Sequence, residues 1–430
     1  MRSRLFVVGL AGLIAPLTAH AQQLGPRTSI ISDDFRDRLD ERGRNESVRQ
    51  RSRPEYDPAG INLGGFTAFP IIELEPFSTN NLVRTSSGEI DALGLNARIG
   101  GSLRSNWSVH ALSINGAIGQ FVNDQSSNED TSTYDLTAAG RLDISRGRNL
   151  QGVARVARGV EARGSSGTAT SAVKPIEYDL FTLGAGVSWE FSRVRLAARV
   201  DTQTYDYLNG TNAAGGVVDQ SDRDRTQNTI VGRVEYAQSP ALAWYGEVSG
   251  NERAYDVSGT GARDSSGYSV IVGSNFDISG LSRGEIGIGY ISQNYDSSLY
   301  NDLSGLGIRA AVEWFPTRLL TLAGTASRTI DDSSVLNSGG ITTTAFGLQA
   351  DYELRRNIIV TGRAQFVNGD YSGVDRSDDT TDLSLSVAYL LNRVAALSVF
   401  LNSSSLSSSG TSPGPDYDET RLGARLTLRK

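Results

Sequence analysis

The sequence predicts an all-β protein: a transmembrane antiparallel up-and-down β-barrel of about 18 strands. Three observations carry that reading. Past residue 60 the chain runs in segments that alternate apolar and polar side chains, the period of a strand with two unlike faces. The connections between segments are short, then long, then short again as far as the C-terminus. Bacterial outer-membrane barrels turn tightly on one side and carry long loops on the other. Finally, nothing after the leader has the ~18 continuous apolar residues of a membrane-crossing helix.

The N-terminus sets the expected compartment. Met1 to Ala21 reads as a signal peptide, with basic Arg2 and Arg4, an apolar run from Leu5 to Leu17 and the small-x-small site Ala19-His20-Ala21. The mature chain is expected to begin at Gln22. The leader carries two Arg and no acid, so the formal charge moves from −7 to −9 on cleavage, which speaks against a nucleic-acid partner. Cysteine is absent, so an exported chain must hold together by burial or hydrogen bonding. A closed barrel does so because it has no unpaired edge.

Residues 22–58 form a separate, charged N-terminal segment expected on the periplasmic side. The run Asp33-Asp34-Phe35-Arg36-Asp37-Arg38-Leu39-Asp40-Glu41-Arg42 has few apolar anchors. It reads either as a short helix capped by Ser32 or as disorder. Its role is a solvated tail, a contact for a periplasmic partner, or a partial plug.

The barrel is expected over 59–430. Its first strand runs near Ile61–Phe77, with a bulge or weak pairing at Pro70, which has no ladder donor. The others fall near 91–104, 107–122, 132–144, 149–163, 177–191, 194–208, 225–237, 242–256, 267–278, 283–296, 304–315, 318–332, 340–354, 357–371, 381–391, 394–408 and 418–429. Short turns lie at Ser105-Asn106, Arg146-Gly147, Ser192-Arg193, Ser239-Pro240, Ser279-Gly280, Pro316-Thr317, Arg356-Asn357 and Asn392-Arg393. These residue types supply turn geometry at little cost. An even strand count puts both termini on the short-turn side, expected to be periplasmic.

Alternation assigns the faces. Near Val194, Val194, Leu196, Ala198 and Val200 point one way while Arg195, Arg199, Asp201 and Gln203 point the other. A charge on the lipid face costs ~2–4 kcal/mol near the midplane, so the charged set should face inward. The same logic gives the candidate lumen lining: Arg98, Arg141, Arg155, Arg199, Asp201, Arg233, Glu235, Arg309, Glu313, Arg363 and Arg425. Arg199/Asp201 are expected to pair across strands with Arg233/Glu235. Such a wall is either a set of stabilising ion pairs or a track for a polar, anionic solute. Barrels of 16–18 strands typically enclose an aqueous channel unless something plugs them.

Aromatics supply an independent check. Trp107, Trp189, Trp244 and Trp314 all lie beside short turns, as an interfacial girdle requires. A second girdle is expected near the long loops from Phe121, Tyr134, Tyr178, Tyr205, Tyr255, Tyr268, Tyr295 and Tyr371. From Trp244 to Tyr255 is 11 residues, or roughly 36 Å of strand. A tilt of ~40° reduces that to roughly 28 Å, close to the ~25 Å apolar band of such barrels.

Catalytic and metal motifs are weak. Gly280-Leu281-Ser282-Arg283-Gly284 matches G-x-S-x-G, but it falls on a strand-to-strand turn rather than a strand-to-helix elbow. His110, the single His after the leader, has no companion nucleophile and cannot form a zinc site alone. Asp219-Gln220-Ser221-Asp222-Arg223-Asp224 lacks the ligand spacing of a calcium loop. No cofactor motif is present, and the chain does not read as an enzyme. An outer-membrane hydrolase is the third reading, resting on His110 alone.

The string Arg53-Pro54-Glu55-Tyr56-Asp57-Pro58-Ala59-Gly60-Ile61, followed by Gly65-Phe66, Pro70, Asn80-Asn81 and Asp91, resembles the opening of the putative β-barrel porin 2 family of Gram-negative outer-membrane proteins. Asp222-Arg223-Asp224 and Arg253-Ala254-Tyr255 are similar to its mid-barrel pattern. The resemblance covers Arg53 to Lys430. It implies an outer-membrane barrel and, from the setting of some members, export of exopolysaccharide with a periplasmic polysaccharide-export protein. One departure is the C-terminus, Leu428-Arg429-Lys430, where such barrels commonly end in an aromatic residue. The expected function is therefore a pore for polar solutes, most plausibly a polysaccharide, held among outer-membrane lipids. The alternative is a structural or surface-interaction barrel with a blocked lumen.

Overall fold

Alternation along the chain becomes one closed sheet in the computed structural model, which describes residues 46–430 except 162, 164–171, 260–261, 279, 334 and 336. The leader and the Ser32-capped helix lie outside the described residues. Eighteen long strands follow one another. The first six are β1 (Phe66–Thr79), β2 (Ala92–Ser105), β3 (Ala111–Asn123), β4 (Thr131–Ser145), β5 (Arg148–Val160) and β6 (Glu177–Phe191). Next come β7 (Val194–Tyr207), β8 (Arg225–Ser239), β9 (Leu242–Tyr255), β10 (Ser265–Ile278), β11 (Ser282–Tyr295) and β12 (Leu303–Thr317). The last six are β13 (Leu320–Asp332), β14 (Gly340–Arg355), β15 (Ile358–Tyr371), β16 (Ser377–Leu390), β17 (Ala395–Ser409) and β18 (Tyr417–Arg429). Each pairs antiparallel with its sequence neighbours, and β1 closes the ring on β18 from Ile71↔Arg429 to Thr79↔Arg421.

The two faces of the sheet separate as the strand period dictates. On β7, Leu196 and Val200 are exposed on the outside, whereas Arg195, Arg199, Asp201 and Gln203 are buried inside. Leu93, Ile118, Leu183, Ile230, Val272, Leu348, Leu385 and Leu422 continue the exposed apolar surface around the ring. Such a continuous belt far exceeds the few hundred Å² of apolar patch that water tolerates, so it is a lipid face.

Three local expectations change. The β1–β2 register runs through Pro70↔Gly101 without a shift, so there is no bulge at Pro70. Its missing N–H falls just past Ile71, the last β1 residue paired with β18; the pairs skip instead at Glu75 and Pro76. Trp107 and His110 precede β3 rather than sitting on it, and His110 Nδ1 accepts the backbone N–H of Asp143 at 3.1 Å.

The third change concerns aromatics. Tyr134 and Tyr268 are exposed on the outside, but Tyr178, Tyr205, Tyr255 and Tyr371 are buried. Phe121 stacks on inward Phe77 at 6.0 Å, and Tyr295 shares the inward parity of Glu285. The expected second girdle is thus mostly a lumenal belt, because a residue's parity along its strand, not its height, decides which face it joins.

The four Trp all face outward at the short-turn end, each roughly half exposed. Trp107 packs edge-on against Phe66, Arg148 lies 4.3 Å over Trp189, and Trp244 Nε1 donates to Gln238. In vesicles, spin labels at the headgroup level should quench Trp fluorescence more than labels at the bilayer midplane. Two or more Trp quenched best from the midplane would contradict this girdle.

Candidate functional site

All eleven predicted lining residues have inward parity, opposite the exposed apolar side chains of their strands. Their partners differ from the expectation. Arg199 ion-pairs with Asp201 on its own strand at 2.9 Å, not with the Arg233/Glu235 pair. The reason is register: Glu235 stands opposite Arg195, and Arg233 opposite Ala197. Arg195 reaches Glu235 at 3.5 Å.

Arg233 instead centres a network spanning four strands. Its guanidinium meets Glu235 at 2.8 Å, Glu247 at 3.2 Å and Glu285 at 2.9 Å, and Arg309 joins through Glu247 at 2.8 Å. The Tyr245 ring stacks 3.7 Å from the Arg233 guanidinium carbon. Gly273 and Gly287 make that position accessible, since a Cβ at either would collide with the Tyr245 ring or hydroxyl. Glu247, Glu285 and Tyr245 were not singled out from the sequence, although each shares strand parity with residues that were or with apolar neighbours' opposite face.

The remaining lining residues are paired locally. Arg155 bonds Asp135 at 2.8 Å, Arg98 meets Glu73 at 3.3 Å, and Arg425 bonds Glu75 at 2.6 Å. Glu313 accepts from Arg283 at 2.6 Å, Arg141 reaches Asp143 at 3.2 Å, and Arg363 donates to Gln349 at 2.9 Å. The wall is uneven. Inward residues of β7–β11 are mostly buried, whereas β3, β4 and β16 also turn half-exposed uncharged polar groups inward, among them Ser113, Asn115, Thr137, Ser384 and Ser386.

The short-turn mouth is crossed by the chain itself. Ser47 to Arg51 form one helical turn, and Val48, fully buried, donates its N–H to Thr321 at 2.9 Å. Arg49 bonds Asp351 at 2.7 Å, while Arg51 and Arg53 share Glu353 at 3.0 and 2.8 Å. Gln50 accepts from Arg283 of β11 at 2.6 Å, and Tyr56 O accepts from Arg429 of β18 at 3.1 Å. The segment thus runs along the mouth from β11 to β18. Burial lowers the Arg53 pKa below the ordinary arginine value, against the opposing pull of Glu353.

At the long-loop end β13 leaves its neighbour. The β12–β13 ladder starts only at Ile308↔Arg328, so Leu303–Gly307 have no β13 partner among the described residues. The upper end of β13 leans into the lumen: Arg253 of β9 donates to Ile330 O at 2.8 Å, and the Tyr255 hydroxyl bonds Asp332. Arg225 meets Asp332 at 3.4 Å. Arg223 stacks 3.9 Å from the Tyr207 centroid, and Arg225 4.3 Å from that of Tyr205. Burial pulls the Arg223 guanidinium down, but the facing Glu161 carboxylate more than offsets it, leaving the pKa above the ordinary arginine value.

No group of three or more His, Asp and Glu side chains suited to a metal ion occurs among the described residues. Ser282 opens β11 opposite Ile278 and Trp314, and the Asp219–Asp224 stretch carries a three-residue 3₁₀ turn, Ser221–Arg223.

A closed ring of eighteen strands, apolar outside and charged inside, is a porin-like barrel of the bacterial outer membrane. The chain belongs to the putative β-barrel porin 2 family, whose model matches residues 53–430. No curated protein matches the sequence. Among solved structures it is similar to a mutant of the ferric enterobactin receptor PfeA of Pseudomonas aeruginosa, at 8% identity over 84% of this chain and 80% of that one, TM-score 0.44. It is similar to OccK1 (OpdK) of the same organism at 12% identity over 84% and 99%, TM-score 0.43. It is also similar to the copper transporter OprC at 10% identity over 86% and 81%, TM-score 0.48. Likenesses this distant carry no information about what this chain transports.

The Arg233 network makes a stability prediction. Glu247→Ala removes the carboxylate that Arg233 and Arg309 share at 3.2 and 2.8 Å and leaves Arg309 with Glu285 at 4.0 Å. Removing one partner of a buried network costs about 3–5 kcal/mol. Urea unfolding of the folded barrel should move to lower denaturant by that amount, and a shift below about 1 kcal/mol would mean that water screens the network.

Proposed function

We propose that the barrel is a pore for polar solutes, and that the solute is a saccharide. One observation supports this most: outside the arginine cluster at the long-loop end, charge on the lumen wall is mostly compensated in pairs, while β3, β4 and β16 present half-exposed hydroxyl and amide groups. A wall of that kind exchanges hydrogen bonds with a hydroxylated solute without holding it tightly. The finer reading is exopolysaccharide export from a Gram-negative cell, with a periplasmic polysaccharide-export protein engaging the N-terminal segment at the short-turn mouth. That partner would approach from the periplasm, the side on which the leader and the even strand count lead one to expect the segment.

A second reading, a structural or surface-interaction barrel with a blocked lumen, is favoured by the two inward-folded pieces, residues 47–57 at one mouth and β13 at the other. Single-channel recordings separate the two. The mature chain is expected to conduct weakly, and a chain starting at Ala59 several-fold more. Silence in both, with folding verified, rejects the pore and leaves the structural barrel.

Orientation has its own test. In intact cells an impermeant thiol reagent should label Gly215→Cys in a long loop and not Ser192→Cys in a short turn. The reverse pattern would invert the barrel and remove the periplasmic partner from this proposal.

A further inference from the structure

We propose that the arginine cluster on β8, β9 and the loop before β10 is a binding site for the carboxylate of an acidic solute, and that Asp332 occupies it as an internal stand-in. The proposal takes its occupant's class from the polar-solute reading and adds a recognition site that the pore reading does not require.

Three guanidinia converge there. Arg225 ion-pairs Asp332 at 3.4 Å. Arg263 donates to Ser333 O, the next residue, and Arg253 donates to Ile330 O at 2.8 Å, two residues before it. The other acid that ion-pairs the cluster among the described residues is Asp222, which meets Arg263 at 3.7 Å with its side chain 67% exposed. Positive charge therefore exceeds buried negative charge. Buried guanidinia are stable only when paired, so the cluster is built for more anion than the chain supplies.

A second, independent observation points to a ligand. Arg253 is 7% exposed, yet its Nε and Nη1 have no hydrogen-bond partner among the described residues. The same holds for Arg225 Nε and the Tyr295 hydroxyl. Arg253 and Tyr295 flank Ser265 in one inward row, because Arg253↔Ser265 and Ser265↔Tyr295 are direct pairs. Buried donors left open in this way are rare in a finished core. The guanidinium fork of Arg253 matches a carboxylate's two oxygens.

The third observation is where Asp332 comes from. It sits at the end of a strand that has left its neighbour: Leu303–Gly307 offer ladder groups that β13 does not take. Continued at the register of Ile308↔Arg328, the ladder would bring Asp332 opposite Ser304. A strand end displaced by a solute carboxylate thus has a vacant pairing edge to return to, with Asp332 then opposite Ser304 at the long-loop rim.

The test is isothermal titration of the full mature chain, folded in detergent, with sodium galacturonate and with galactose at constant ionic strength. Galacturonate should bind and galactose should bind at least tenfold more weakly. Asp332→Asn removes the competitor and should tighten galacturonate at least tenfold. Arg253→Gln should weaken it at least tenfold, with folding checked by heat-dependent gel mobility. Tyr255→Phe, which loosens Asp332 while keeping every charge, should shift affinity in the same direction as Asp332→Asn and guards against a misfolded Asn variant. Equal binding of the two sugars, or no response to Asp332→Asn and Tyr255→Phe, overturns the site. The readout is independent of conduction: a silent barrel that binds galacturonate sinks the pore and keeps the site, and a conducting barrel that does not bind it does the opposite.

Discussion

Everything in this molecule depends on the inward face having to neutralise its own charge. Closing the ring satisfies the backbone, and the lipid face then rejects ionised side chains at ~2–4 kcal/mol each near the midplane. Strand charges near the midplane are forced into one shared interior, where an unpaired charge is expensive, whereas Arg158 and Asp179 pair on the outward face at the long-loop end, beside Tyr134. The Arg233 network, the Arg195–Glu235 bridge and the clamp of Arg53 on Glu353 are local solutions to that single constraint. The constraint also explains why β8–β11 pack tightly while β3, β4 and β16 stay looser: the buried sector is the one in which both signs are dense, whereas the loose sector carries mostly Ser, Thr and Asn.

The fold was highly legible in the sequence because its signal is repeated eighteen times. Alternation on β7 or β18 needs no knowledge of neighbours, and strand ends came within a few residues nearly everywhere. Lumen-facing parity of Arg98 or Arg425 was readable for the same reason. Pairing was not readable: whether Glu235 meets Arg195 or Arg199 depends on the β7–β8 register, and a shift of four residues exchanges the two without changing the face. Arg233–Glu285 is less visible still, since it joins β8 to β11 across the curve of the wall.

The aromatic reading failed in an instructive way. The Trp at the short turns coincide with outward parity, as an interfacial position requires. Tyr205 and Tyr255 sit at the right height for the opposite interface but at inward parity, where they stack on Arg225 and Arg263. Height and parity are independent coordinates on a strand, and a girdle needs both. Tyr205, Tyr255 and Tyr295 border the arginine cluster, consistent with local rules giving way where a site is built, whereas Phe121 stacks on Phe77 and Tyr371 on Arg376.

The two inward-folded pieces meet on the same hairpin. β14 supplies Asp351 and Glu353 to the N-terminal arginines at one end, and β13, its partner over the whole ladder from Leu320↔Tyr352 to Asp332↔Gly340, supplies Asp332 at the other. The same pair of strands is therefore loaded by ion pairs at both mouths, and it is the pair whose outer ladder to β12 is incomplete. One hairpin, β13 and β14, thus carries both inward-folded pieces: its short-turn end holds residues 47–57 and its long-loop end presents Asp332 to the arginine cluster.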